Sequence, residues 1–168
     1  EALENIGKYA DVDRTYIFLI SGNGLYYNNT YEWCRESIES QIDNLKNMPI
    51  SLFGNWTTML SKSGALHIPC VADLPEEAVV EKRLLESQQI KSLVILPIIS
   101  ANTLLGFVGF DSVTQEKTWV DEDISFLKTI GGIFGSTFNR INAEKILKQS
   151  EEKFRNLVEG ISEVFFIT

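Results

Sequence analysis

Two cysteines, Cys34 and Cys70, and a single histidine, His67, set narrow limits on the chemistry open to this 168-residue chain. Neither cysteine has a CxxC companion, so zinc sites and a disulfide framework are not expected. A thiolate–imidazole nucleophile needs both groups on one side of the backbone, whereas His67 and Cys70, three apart in an extended segment, point to opposite faces. The glycines of "GNG" at Gly22 belong to a turn, and Gly131-Gly132 lies mid-helix rather than after a strand, so neither reads as a phosphate cradle. Trp33 and Trp56 offer contact area, and His67, Cys70 and Asp73 offer polar groups, the side-chain types that hold and orient a ligand where a fold supplies a pocket. Duller roles compete: Trp56 can anchor a loop, and Asp73 can cap the helix that begins at Pro75. That helix start is a poor phosphate site, because Pro75 lacks an N–H and Glu76 and Glu77 repel anions.

The elements that must position these residues come from a chain suited to one domain with an appendage. A hydrophobic content of 44% supplies a continuous core. The formal charge of −8 disfavours nucleic acid and anionic membrane surfaces as partners. The longest apolar runs, such as "VILPII", fall well short of the roughly 20 residues of a bilayer span, and no charged-then-apolar leader opens the chain. A soluble, cytoplasmic module is the expectation.

Ala2, Leu3, Ile6 and Tyr9 recur at helical spacing, and "RTYIFLI" (14–20) reads as a strand apolar on both faces. "SGNG" is a tight turn, and "LYYNNTYEW" a half-polar returning strand with Leu25, Tyr27, Tyr31 and Trp33 on one face. The middle third is irregular, with a short helix around Trp56 to Ser61. A short strand through His67, a turn at Ala72-Asp73 and a helix from Pro75 to about Gln88 follow. "SLVILPII" and "TLLGFVGFDSV" form a hairpin of two-sided strands, so these and residues 14–20 belong in the centre of a largely antiparallel sheet. From Asp121, read as an N-cap, the residues Leu127, Ile130, Phe134, Phe138 and Ile141 mark a long helix, in which Gly131 and Gly135 allow close approach to a neighbour. Ala143, Leu147, Ser150, Phe154, Leu157 and Ile161 continue a three/four alternation suited to pairing with a second helix. The fold class is α+β: a three-layer sandwich whose sheet of five to six strands carries terminal helices on one face and short helices and loops on the other.

The order of these elements, and above all "SLVILPIISANTLLGFVGFDSV" followed by Trp119, Asp123 and the long helix, resembles a GAF domain across residues 1–146. Residues 147–168, containing "QSEEKFRNLVEGISEVFFIT", resemble a linker helix and the truncated start of a PAS domain. The resemblance implies a bacterial sensory protein, a histidine kinase or diguanylate cyclase, with its catalytic domain elsewhere. It also implies homodimerisation through the terminal helices and a small-molecule pocket under the middle segment, for which Trp33, Trp56, His67, Cys70 and Asp73 are the candidate lining. No cofactor is expected, although the family includes haem and bilin sensors. His67 as a haem ligand competes with the commoner structural role of a lone histidine, and bilin attachment in related photoreceptors typically uses Cys-His where Cys70 precedes Val71. The cyclic-nucleotide pattern of the family is at best half present around Asp111-Ser112 and Trp119. The function expected is ligand sensing with relay through the last helix to a PAS or output domain. The alternatives are a ligand-free dimerising spacer and, more weakly, a thiol redox enzyme at Cys34 or Cys70.

Overall fold

The computed structural model describes residues 1–53 and 56–165, with side chains placed to residue 159. Helix α1 (Ala2–Tyr9) leads into β1 (Arg14–Ile20), β2 (Tyr26–Cys34), the two-residue β3 (Met48–Pro49) and, after a 3-10 turn, α2 (Trp56–Ser63). Then come β4 (Leu66–Ile68), two 3-10 turns, α3 (Val79–Ser87), β5 (Ser92–Ser100), β6 (Thr103–Ser112) and the 45-residue α4 (Asp121–Phe165). The six strands form one sheet in the order β3-β2-β1-β6-β5-β4, antiparallel at every junction. The two-sided strands β1, β6 and β5 occupy the centre, as their apolar residues require. Of the stretch 147–168 read as a linker helix and the truncated start of a PAS domain, residues up to Phe165 belong to α4 and residues 166–168 lie outside those described. No described helix is long and apolar enough to cross a membrane.

The sheet divides two cores. Leu3, Ile17, Leu96, Val108, Phe110 and Leu127 pack beneath α1 and α4, and Tyr16, Phe18, Ile95 and Phe107 pack beneath the middle segment with Phe53, Trp56 and Leu85. On the helical side α4 lies directly on β5. A Cβ at Gly131 would stand 3.1 Å from the Pro97 carbonyl oxygen, and one at Gly135 would overlap the Ile99 carbonyl. The neighbour those glycines approach is therefore strand backbone. The β5–β6 hairpin turns through Ala101 and Asn102, both at positive φ (45° and 65°), the conformation that matches the twist of a two-residue loop.

The face of β2 departs from simple alternation. Ile17 pairs with Tyr31 but Phe18 pairs with Asn29, so Thr30 is an extra residue, a β-bulge that exchanges the faces of everything beyond it. Tyr27 packs on Phe107 on the middle-segment side, whereas Tyr31 and Trp33 turn to the helices, Trp33 filling the space above Gly7 and Tyr31 facing Phe138 at 6.3 Å. The expected shared face of Tyr27, Tyr31 and Trp33 is thus corrected.

Candidate functional site

Between the sheet and the middle segment lies a cavity of about 30 Å³. Its floor is Tyr16 and Phe18 of β1, Ile95 of β5 and Phe107 of β6, and its roof is Phe53, Trp56, Leu84 and Leu85. Phe18 and Phe107 stack at 4.8 Å, Tyr16 meets Phe18 edge-on at 5.5 Å, and Phe53 leans on Trp56 at 5.8 Å. This aromatic box is a consequence of inward-facing positions on adjacent strands meeting the 3-10 turn Ile50–Phe53 and the first residue of α2.

One wall is polar. Arg14 begins β1 with its side chain only 2% exposed, and Gln88 and Glu32 stand beside it. Arg14 Nη1 lies 3.5 Å from both Gln88 Oε1 and Asp111 Oδ2, and Nη2 donates to the Glu39 carbonyl at 3.2 Å. Charge-assisted hydrogen bonds are typically about 2.7–2.9 Å long, so each of these three contacts of the buried guanidinium is loose. Its Nε has no hydrogen-bond partner among the described residues, and neither does Asp111 Oδ2, whose approach to Arg14 lacks hydrogen-bond geometry. By contrast, Glu32 is saturated: it accepts from Asn29 Nδ2 at 3.0 Å, from Ser40 Oγ, and from the Gln41 and Ile42 amides. Arg14 and Gln88 also border a second, polar cleft of about 210 Å³ formed by Ser37, Glu39, Gln41, Ser87 and Gln89, so the guanidinium separates the aromatic chamber from that cleft.

Burial shapes the titration of this wall. Asp111, fully buried, has its carboxyl pushed up to about 7 by desolvation, with Arg14 opposing the shift. Its Oδ1 accepts the Tyr16 hydroxyl at 2.8 Å, and burial next to that carboxyl holds the phenol well above its ordinary range. Burial, with Glu32 nearby, raises the Cys34 thiol to about 11.

Of the five residues singled out by sequence, Trp56 lines the chamber. Trp33 lies on the opposite face because of the Thr30 bulge. His67 sits between Leu66 and Ile68, which enter the chamber-side core, so it faces the helical layer; its Nε2 is buried without a partner among the described residues, and burial lowers its pKa. Cys70 Sγ donates to Glu116 Oε1 at 3.3 Å on the rim. Asp73 ends the 3-10 turn Val71–Asp73, while Pro75 holds the cap position of the next turn and Ala78 that of α3, so Asp73 does not cap α3. The reading missed Arg14, Glu32, Gln88 and Asp111, which the fold gathers from four separated segments. Arg14 and Asp111 are Cα partners across β1 and β6.

Several known proteins are similar to this chain in sequence or in fold. The methanogenesis regulatory histidine kinase FilI of Methanothrix harundinacea (strain 6Ac) is 31% identical over 169 residues, covering 98% of this chain, which in turn spans only 18% of FilI. A domain of a two-component sensor histidine kinase protein from Sinorhizobium meliloti 1021 superimposes with a TM-score of 0.66 at 17% identity, covering 87% of this chain and 92% of that one. The blue-light absorbing form of the PixJ GAF domain of Thermosynechococcus elongatus gives 0.68 at 13% identity over 88% and 89% of the two chains. At such identities these two likenesses concern the fold. Residues 1–137 match the family model of the GAF domain, and the chain belongs to the GAF family of sensory domains.

Proposed function

We propose that this GAF domain is a small-molecule input module of a cytoplasmic sensor histidine kinase or diguanylate cyclase. Occupancy of the aromatic chamber biases α4, and α4 passes that bias to a PAS or output domain beyond residue 146. The observation that carries the reading is the two-sidedness of β5. Ile95 lines the chamber, and two residues on, the Pro97 carbonyl touches α4 at Gly131. A ligand that prefers one packing of β5 thereby prefers one position of α4, which is all that relay requires. The protein works as a homodimer through its terminal helices: Ile133, Leu147 and Phe154 on α4 are 56%, 61% and 70% exposed and recur at multiples of seven residues. A bilin does not fit this site, since no cysteine among the described residues lines the chamber and its volume is far below the roughly 300–1,000 Å³ of typical ligand pockets.

The small volume is also the observation that favours the second reading, a ligand-free spacer whose chamber is filled by its own aromatic rings. The thiol redox reading is weakened by Cys34, whose raised pKa keeps it protonated. A screen of cell metabolites separates the first two. A ligand specific for the folded state raises Tm by mass action and co-purifies in native mass spectrometry; a spacer shows neither effect with any compound.

A further inference from the structure

We propose that the chamber takes a short aliphatic monocarboxylate, its carboxylate received by the Arg14 guanidinium and its alkyl end enclosed by the aromatic box. This rests on the reading of the chamber as a ligand site and names the chemistry it selects. A guanidinium with 2% of its side chain exposed carries five N–H donors, yet Nε has no hydrogen-bond partner among the described residues and the contacts with Gln88, Glu39 and Asp111 are 3.2–3.5 Å long. Leaving a buried charged donor without a close acceptor is costly, and a carboxylate in the bidentate fork geometry offsets that cost. The neighbouring carboxylates do not fill this role: Glu32 is committed to four donors, and Asp111 gives its Oδ1 to Tyr16 and meets Arg14 only at 3.5 Å.

The same ledger fixes the ligand's charge. Glu32 is compensated by its own four donors and burial favours the protonated form of Asp111, so the single cation can answer one negative charge, and a dianionic phosphoryl group would bring more than Arg14 can balance. Size fixes the body. About 30 Å³ of inner space, some two or three times the roughly 10–15 Å³ that holds one water and far below the 150 Å³ engineered cavity that admits benzene, suits a body of one or two carbons rather than a branched chain or a ring. The 210 Å³ cleft on the other side of Arg14 gives the carboxylate its route of entry.

The test is calorimetric titration of the whole 168-residue chain with acetate, propionate, isovalerate and hexanoate, each beside its neutral amide. Acids binding at least about tenfold more tightly than their amides, with acetate or propionate preferred over isovalerate and hexanoate, support the proposal. In Arg14→Gln the preference for acid over amide disappears, while Trp56→Ala weakens acid and amide alike. Amides binding as well as acids overturn the role of Arg14 yet leave the chamber a ligand site, and this comparison needs no variant to fold. If none of these acids binds while the metabolite screen finds another ligand, the proposed ligand class is wrong and the sensor reading stands; if the screen also finds nothing, both fall.

Discussion

The carboxylate of Asp111 lies 3.5 Å from the guanidinium of Arg14, both side chains buried, and they form an ion pair that is not a hydrogen bond. Desolvation outweighs the attraction, so the Asp111 carboxyl titrates near 7 in the folded chain against an ordinary value of 3.8. The folded protein therefore binds one more proton than the unfolded chain between about pH 4 and pH 7, and stability falls as pH rises through that window. Asp13 acts in the opposite sense. Amides of Val113 and Thr114 and the Thr114 hydroxyl hold its pKa below the ordinary value against the pull of burial, a contribution lost as pH falls through that lowered value. Urea midpoints measured from pH 4 to 8 should decline toward neutrality in the wild type, and Asp111→Asn should flatten the decline. An equal slope in the variant would assign it to another group.

Gly135 and Gly132 make a matched pair on α4. At Gly135 a methyl group would collide with the backbone carbonyl of Ile99, which has no rotamer by which to yield, whereas at Gly132 nothing lies within 4 Å. Gly135→Ala should cost about 1–3 kcal/mol through overpacking. Gly132→Ala should gain up to about 1 kcal/mol from helix propensity. Chemical denaturation of the two variants checks both signs. If they behave alike, α4 does not rest on β5 in the way described.

Sequence periodicity reached the fold through β1, β5, β6 and α4, because two-sided apolar strands can only be central and a three/four repeat can only be a helix with one buried face. It did not reach the site, for two physical reasons. A one-residue bulge at Thr30 turns Trp33 to the helical face, and nothing in "YYNNTYEW" distinguishes that insertion from regular alternation. Arg14 and Asp111, at the ends of apolar strands, look like the polar margins where strands normally surface. Only the strand order, with β6 beside β1, makes them face each other inside. A charged residue at the end of each of two strands already read as central was the available signal.

Cys34 should be a slow nucleophile. With its thiol raised to about 11 from 9.0, the thiolate fraction near pH 8 is roughly a hundredfold lower than for an unperturbed cysteine. Alkylation by iodoacetamide, followed by peptide mass spectrometry, should label this position at least about tenfold more slowly than a cysteine-containing model peptide. Labelling at the peptide's rate would restore the redox reading.

The exposed stripe on α4 makes its own prediction about assembly. Phe126, Ile133, Leu147 and Phe154 recur at intervals of seven or fourteen, with Arg140 at the intervening position, and beyond Phe138 the described side chains of α4 to residue 159 are all exposed. An apolar seam of this period along a helix that projects away from the sheet gains stability by packing on a second such seam, and Arg140 tunes register rather than strength. The 168-residue chain should therefore sediment as a dimer. Leu147→Glu combined with Phe154→Glu places a charge at two successive seam positions and should give a monomer, while Tm of the domain changes by no more than about 2 °C beyond the loss due to dissociation, because neither side chain touches the two cores. A double variant that stays dimeric would move the interface to another surface, such as the trough of about 510 Å³ bordered by Leu3, Trp33 and Phe134 between α1 and α4.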